Sequence, residues 1–323
     1  MSGRDGALAL TVLAALVLGL AVGSVPLAPG AVVHGLLDPS APSAAIVRQL
    51  RLPRVLLAFV VGGGLALSGA ALQALVRNPL ADPYLLGLSG GAGLGAVAAI
   101  ALRASAAWAV PLAAFAGALG AIALVYRLAV VSGRRLDPRV LLLAGVVVGA
   151  FAAAVMSAII VLADAPTLRN ALLWLLGGFG GASWQSLAVF LLYALLPVFV
   201  LFRSGRALDL LALGEDTAEY LGADAERTKR LVYVSASLLT AASVATCGII
   251  GFVGLVVPHA CRMLWSPLHR TLLPVSFLAG GVFLVLADTI ARSILPPLEL
   301  PVGVVTALVG VPLFAVLLRR TLA

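Results

Sequence analysis

Residues Arg51–Gly95 read RLPRVLLAFVVGGGLALSGAALQALVRNPLADPYLLGLSGGAGLG, and this stretch decides the fold. Two arginines three residues apart open it. An apolar, glycine-rich run follows, long enough to cross a bilayer, which takes about 20 such residues. The run breaks at Asn78-Pro79 and Asp82-Pro83, and a second apolar run begins at Tyr84. Each proline removes a donor and clashes with the preceding turn, so two this close cannot lie inside a continuing helix. The pattern predicts a hairpin of two membrane helices joined by a short, stiff turn. Gly62, Gly63, Gly64, Ser68 and Gly69 give the first helix a small face, through which helices associate in lipid. Gln73 lies deeper on the same helix. A polar group at that depth turns away from lipid, so it predicts either an interhelical hydrogen bond or a pore-lining position.

The same character runs through the whole chain. Of its 323 residues 62% are hydrophobic and 11% charged, against about 25% charged in a soluble domain. Mean hydropathy is +1.15. Ten apolar segments can be placed, at 7–26, 53–76, 84–102, 108–130, 139–162, 186–203, 231–249, 251–264, 272–294 and 302–318. They are too long, and alternate too rarely, for an outer-membrane barrel. The expected fold is therefore an all-α integral membrane protein of about ten transmembrane helices, with 1–323 a single domain. The first segment is read as a retained helix rather than a signal peptide, because further spans follow and no cleavage site is evident. The formal charge of +8 reflects loop composition and not a nucleic-acid surface. With alternating sides, 15 of the 21 basic residues fall in loops on one side, among them Arg77, Arg134, Arg135, Lys229 and Arg230. The positive-inside rule makes that side, and both termini, cytoplasmic.

Several loops carry more than connection. Arg48, Arg51 and Arg54 lie outside, against the rule, and suggest a landing site for an acidic external partner. Segment 163–186, ADAPTLRNALLWLLGGFGGASWQS, is too interrupted to span. It predicts a short external helix near 167–176 and a glycine turn at Gly177–Gly181 at the outer mouth of a pathway, with Trp174 and Trp184 at the membrane boundary. Segment 203–230, RSGRALDLLALGEDTAEYLGADAERTKR, predicts two short helices broken near Gly214 and Gly222 at the inner face. Its interspersed leucines suit a partner surface. Asp288 and Arg292, acid first and four apart, have the favourable order for a helical ion pair. Pro296–Pro301 forces a rigid external turn. The segments starting at 53 and 231 each follow a basic cluster and lead into a proline break, which fits an inverted repeat of spans two to five against seven to ten.

Much chemistry is missing. There is no GxxxxGK[ST] or HExxH motif, so no nucleotide loop or zincin site. The glycines of 88–95 follow no strand and serve packing. Three separated histidines build no metal site, and Cys247 and Cys261 form neither a CxxC pair nor a disulfide framework. His259 reads as a structural hydrogen-bonding group.

RLPR before a glycine-rich helix, NPLADPYLLGLSGGAGLG, GFVGLVVPHACR (251–262) and ELPVGVVTALVGVPLF (299–314) together resemble the permease subunits of ABC importers for iron–siderophores, heme and cobalamin, in order and over nearly the whole chain. The resemblance implies a type II importer fold with inverted repeats, in the inner membrane, with no enzymatic activity, metal or cofactor of its own. It implies a homodimer on two ATP-binding cassette ATPase subunits, receiving cargo from a periplasmic binding protein. By position, Arg51, Arg54 and Arg292 match arginines that dock the binding protein. Asn78 and Leu80 match a cytoplasmic gate, and the helix starting near Arg139 a pathway-lining helix. Segment 207–230 matches the coupling helices, with Glu215, Asp216, Glu219, Leu221 and Gly222 as expected ATPase contacts. Asp137-Pro138 stands where the family often has small hydroxyl residues. WLLGGFGGASW looks more like a cobalamin permease, but the commoner iron and heme systems set the expected cargo as heme or another iron chelate, with cobalamin next. The rival reading is a proton-coupled secondary transporter. It would need acids buried in the spans, and Asp288, which has its own arginine, is the one clear candidate.

Overall fold

Nineteen of the twenty-four residues from Leu52 to Leu75 are Gly, Ala, Leu or Val, and in the computed structural model they form the most enclosed long helix of the bundle. The structure describes residues 3–131 and 135–322, so Arg134 of the basic count lies outside the described residues. In chain order the helices are α1 (Gly3–Ala21), α2 (Pro29–Leu37), α3 (Leu52–Leu75), α4 (Leu88–Ala101), α5 (Ala109–Ala129), α6 (Pro138–Val161) and α7 (Ala165–Leu175), then α8 (Trp184–Arg203), α9 (Gly205–Ala212), α10 (Glu215–Tyr220), α11 (Ala225–Cys247), α12 (Val253–Leu264), α13 (His269–Ala291) and α14 (Val302–Leu322). A π-helical turn, Ile46–Arg51, runs directly into α3, and a 3-10 turn, Pro83–Leu86, precedes α4. Between α5 and α6 the chain makes a small antiparallel pair, β1 (Val130–Val131) and β2 (Arg135–Leu136), which the sequence did not suggest.

Among the described residues, seven helices are long and apolar enough to cross a membrane, and α4, α12 and Val302–Val316 of α14 are shorter apolar helices. These ten correspond to the ten apolar segments of the sequence. The start of α1 lies at the end of the bundle that carries α9 and α10, where Arg4 donates to the carbonyl of Leu264 at 3.0 Å. The helix α7 marks the opposite end.

The predicted hairpin of α3 and α4 does not form. α3 packs on α13, α11 and α12, while α4 packs on α5 and α6. The pattern follows from the repeats. When α3–α6 is matched to α11–α14, the α4–α5, α4–α6 and α5–α6 contacts correspond to α12–α13, α12–α14 and α13–α14, and α3–α13 corresponds to α11–α5. Each repeat thus sends its first helix into the other.

Glycines make the close approaches. A Cβ at Gly69 would stand 1.8 Å from the carbonyl oxygen of Gly254 on α12, and one at Gly280 on α13 would stand 2.4 Å from that of Gly62. With no hydrophobic drive between helices in lipid, such backbone contact supplies the packing. The lipid-facing sides of α6 and α8 keep large apolar groups exposed, such as Phe151 and Leu192, as a bilayer solvent allows.

Candidate functional site

At the α7 end, three arginines and two acids form one cluster. Arg51 is 6% exposed and donates to the carbonyls of Leu20 (2.6 Å), Ala21 (2.8 Å) and Val25 around the end of α1. Those are the orphan acceptors that a helix C-terminus leaves. Arg292, 4% exposed, donates to the Gly19 carbonyl and pairs with Asp288 at 3.3 Å. Arg54 straddles Asp288, with Nε 3.1 Å from both carboxylate oxygens, and its Nη2 reaches Glu299 at 2.9 Å. The i,i+4 pairing of Asp288 with Arg292 is as the sequence implied, but Asp288 also serves Arg54. The expectation that the arginines stand in water is corrected. Arg51 and Arg292 turn inward because α1 ends beside them with carbonyls unpaired, and Arg48 does the same for α2 through the Gly35 and Leu36 carbonyls. Only Arg54, with Glu299, reaches the rim of a cavity of about 780 Å³.

That cavity is lined by α7, the glycine turn and the starts of α5 and α8, with Trp108, Asn170 and Trp174 on its wall. α7 is the short helix expected near 167–176, N-capped by Asp164, whose carboxylate accepts from Thr167 N at 3.2 Å. Gly177 has φ +67°, and a Cβ there would lie 2.6 Å from the Ile249 carbonyl. Trp184 donates to the Arg48 carbonyl at 3.0 Å, tying α8 to the arginine loop.

The proline break sits toward the other end. Asn78 is exposed, and its side-chain oxygen accepts from Leu80 N at 2.9 Å, an Asx turn that stiffens the bend. Leu80 is 38% exposed. Gln73, 2% exposed, is the hydrogen-bonding hub of this region. Its amide N–H groups face the carbonyls of Ala81, Gly254 and Leu255, each at 3.3 Å, while its oxygen accepts from Arg262. Of the two roles open to Gln73, the interhelical hydrogen bond is the one observed. Asp82 accepts from Tyr84 N at 2.8 Å and caps the 3-10 turn. Burial pushes its carboxyl up to about 6. Tyr84 donates its hydroxyl to the Ile250 carbonyl at 3.0 Å, joining the two repeat-related breaks. The turn then presses on α6, for a Cβ at Gly145 would stand 2.2 Å from the Leu85 carbonyl. His259, 5% exposed, has no hydrogen-bond partner for either ring nitrogen among the described residues, so the expected structural hydrogen bond is not made.

The segment beyond α8 folds as two short helices, with breaks at Gly214 (φ +122°) and Gly222 (φ +83°). Leu208 and Leu211 are buried beneath α9. Asp216 and Glu219 are exposed, as is Leu221 at 58%. Glu215 points the other way, onto Lys229 at 3.0 Å. Tyr220 (92% exposed) and Leu213 (65%), two of the apolar residues interspersed along this segment, are the most prominent on this surface. Leu213 adjoins the break at Gly214, and Tyr220 lies two residues before the one at Gly222.

Comparison with known proteins follows the same lines. The FecCD transport family model matches residues 10–320. The cobalamin import system permease protein BtuC of Halobacterium salinarum is 47% identical over 274 residues, covering 85% of this chain and 73% of that protein. The vitamin B12 import system permease protein BtuC of Salmonella paratyphi A is 43% identical over 317 residues, 97% of this chain and 94% of its own. A solved inward-facing metal-chelate type ABC transporter superposes with a TM-score of 0.86 at 33% identity, covering 97% of this chain and 98% of that one.

Proposed function

The chain belongs to the FecCD transport family, and from that premise we propose that the cargo of this ABC importer permease is cobalamin or a related corrinoid. That it is a multi-pass permease subunit of an importer for chelates or cobalamin rests on the family and its relatives. The finer cargo reading is carried by one observation, the match to a vitamin B12 permease at 43% identity over 97% of the chain. It reverses the order expected from the sequence, in which heme and iron chelates came first. The permease pairs with a second copy of itself and with two ATPase subunits in the inner membrane. Both termini and the α9–α10 face are cytoplasmic, and the α7 end is external.

In this reading the binding protein docks at the α7 end. Arg54 presents the accessible charge, while Arg51 and Arg292 hold the end of α1 and the top of α13 as a rigid platform behind it. The bend at Asn78 and Leu80 is the cytoplasmic gate, and α6, on which it presses, lines the pathway. Asp216, Glu219, Leu221 and Gly222, together with Leu213 and Tyr220, form the ATPase contact. A proton-coupled carrier is disfavoured because Asp288 is held between two arginines, which leaves no free acid there to load.

The test is uptake by proteoliposomes holding this permease with its ATPase, supplied with its binding protein. ATP-driven accumulation of cyanocobalamin, without accumulation of hemin or a ferric siderophore, is expected. Uptake of hemin or the siderophore but not of the corrinoid would overturn the cargo reading. Uptake by the permease alone, driven by a proton gradient, would overturn the importer assignment as well.

A further inference from the structure

We propose that Lys229 is a positioning residue that links the coupling helix α10 to the start of the pathway helix α6. The chain has one lysine, and its side chain is 3% exposed. An ammonium carries three donors, and here two hydrogen bonds and one ion pair hold it. The partners are the Leu136 carbonyl at 2.9 Å, Glu215 Oε2 at 3.0 Å and Glu226 Oε1. Each partner belongs to a different part of the fold. Glu226 shares α11 with the lysine. Glu215 opens α10. Leu136 is the last residue of β2, next to Asp137, which caps α6 by accepting from the Arg139 and Val140 amides.

The clamp on β2 is two-sided. The Leu136 amide donates to Glu226 Oε2 at 3.1 Å while its carbonyl accepts from Lys229. Both backbone groups of the residue before the α6 cap are therefore held by side chains of α11. Arg77, just past the end of α3, lies 3.9 Å from Glu215. Three elements meet at one buried cation, beside a cavity of about 520 Å³ lined by Arg77, Leu136, Arg139, Glu215 and Lys229.

This link joins elements whose main packing lies elsewhere. α10 packs against α9 and α11, while α6 packs against α4, α5 and the 3-10 turn. A buried charge is costly to desolvate even when paired, and an apolar group of similar size would stabilise at least as well. What the ion pair adds is a directional bond between α10 and the residue that precedes the α6 cap. Displacement of α10 then draws on Lys229 and, through it, on the Leu136 backbone and the first turn of α6. This rests on the reading above, in which α10 faces the ATPase and α6 lines the pathway. It also changes the part expected of Glu215, from a subunit contact to the inward end of the link.

Two measurements test it with Lys229→Met, Glu215→Gln and the double variant. The first needs no cargo or partner. In the purified permease, amide hydrogen exchange across 135–142 should quicken at least tenfold in either single variant. Glu215→Gln, at a residue one-third exposed, tests the link even if Lys229→Met fails to fold. The second uses the reconstituted complex. The ATPase should stay bound and hydrolysis should change less than twofold, while cyanocobalamin moved per ATP should fall at least tenfold. The double variant should be no worse than the poorer single one, because both substitutions cut the same link. Unchanged exchange at 135–142 in Glu215→Gln would overturn the proposal. So would losses that multiply in the double variant, or release of the ATPase by Glu215→Gln, which would make that residue a subunit contact. Should the wild-type complex carry no corrinoid, the cargo reading fails, while the exchange measurement still decides the link.

Discussion

Replacing Asp288 with asparagine should be among the most damaging single-atom changes in this protein. The carboxylate is 1% exposed and lies between two guanidinium groups, with Arg54 Nη2 at 2.8 Å and Arg292 Nε at 3.3 Å. Asparagine keeps the shape and one acceptor but removes the charge. Arg54 would retain Glu299, which is 40% exposed. Arg292, with a side chain 5% exposed, would be left with the Gly19 carbonyl and Thr289. Removing one partner of a buried pair costs about 3–5 kcal/mol, because the other charge stays buried without compensation. The retained acceptor places the expected loss near the lower end, about 3 kcal/mol. The matched control is Glu299→Gln, which removes an exposed partner of the same arginine and should cost at most about 1 kcal/mol. Equilibrium unfolding in mixed micelles, followed by tryptophan fluorescence, measures both. Salt separates them further. The Glu299 contribution should shrink as ionic strength rises, since screening reaches exposed charges and not enclosed ones, whereas the Asp288 loss should persist. A loss below about 1 kcal/mol for Asp288→Asn, or equal salt sensitivity in the two variants, would refute the view that this cluster is an enclosed brace.

Gly69→Ala should force α3 from α12, because the added Cβ would meet the Gly254 carbonyl at 1.8 Å. The expected destabilisation is about 1–3 kcal/mol or more, whereas Gly120→Ala, with nothing within 4 Å of its Cβ, should gain about 0.5–1 kcal/mol from helix propensity. Unfolding midpoints of the two variants check the contrast, and equal midpoints would discount the glycine contact. Asp82 supplies a pH test. Its folded carboxyl is raised from 3.8 to about 6, so the native state binds the extra proton. The stabilisation from that proton is fully present below the unfolded value and is lost as pH rises through about 6. Asp82→Asn should therefore gain on the wild type as pH goes from 4 to 7, by up to about 3 kcal/mol at 1.36 kcal/mol per pKa unit. A stability difference that stays flat over that range would remove Asp82 from the account.

The sequence revealed what lies in the membrane better than what meets what. The ten apolar segments, α7, and the breaks at Gly214 and Gly222 were legible because hydropathy, proline and glycine act locally. Asp288 with Arg292 was legible for the same reason, being one helical turn apart. The α3–α4 hairpin was a false inference, since lipid and protein interior are equally apolar and hydropathy cannot say which one a face meets. The inward turn of Arg51 was hidden because its acceptors are backbone carbonyls of α1, which no side-chain pattern records. Lys229 read as one more basic loop residue, for its partners Leu136 and Glu215 are brought to it by the bundle and not by spacing.

The exchange of first helices between the repeats bears on how the chain is made. During synthesis α3 enters the bilayer long before α13, its principal neighbour. Its backbone is satisfied as a lone helix in lipid, but its glycine face has nothing to pack against until the last third of the chain arrives. The N-terminal half is thus an incomplete bundle holding a place for a late helix. Contacts of such long sequence separation form slowly, which makes the interval before α13 inserts the period when quality-control proteases have most to recognise. Two separately made halves would each lack the helix that closes the other, and only together would they give the finished transporter.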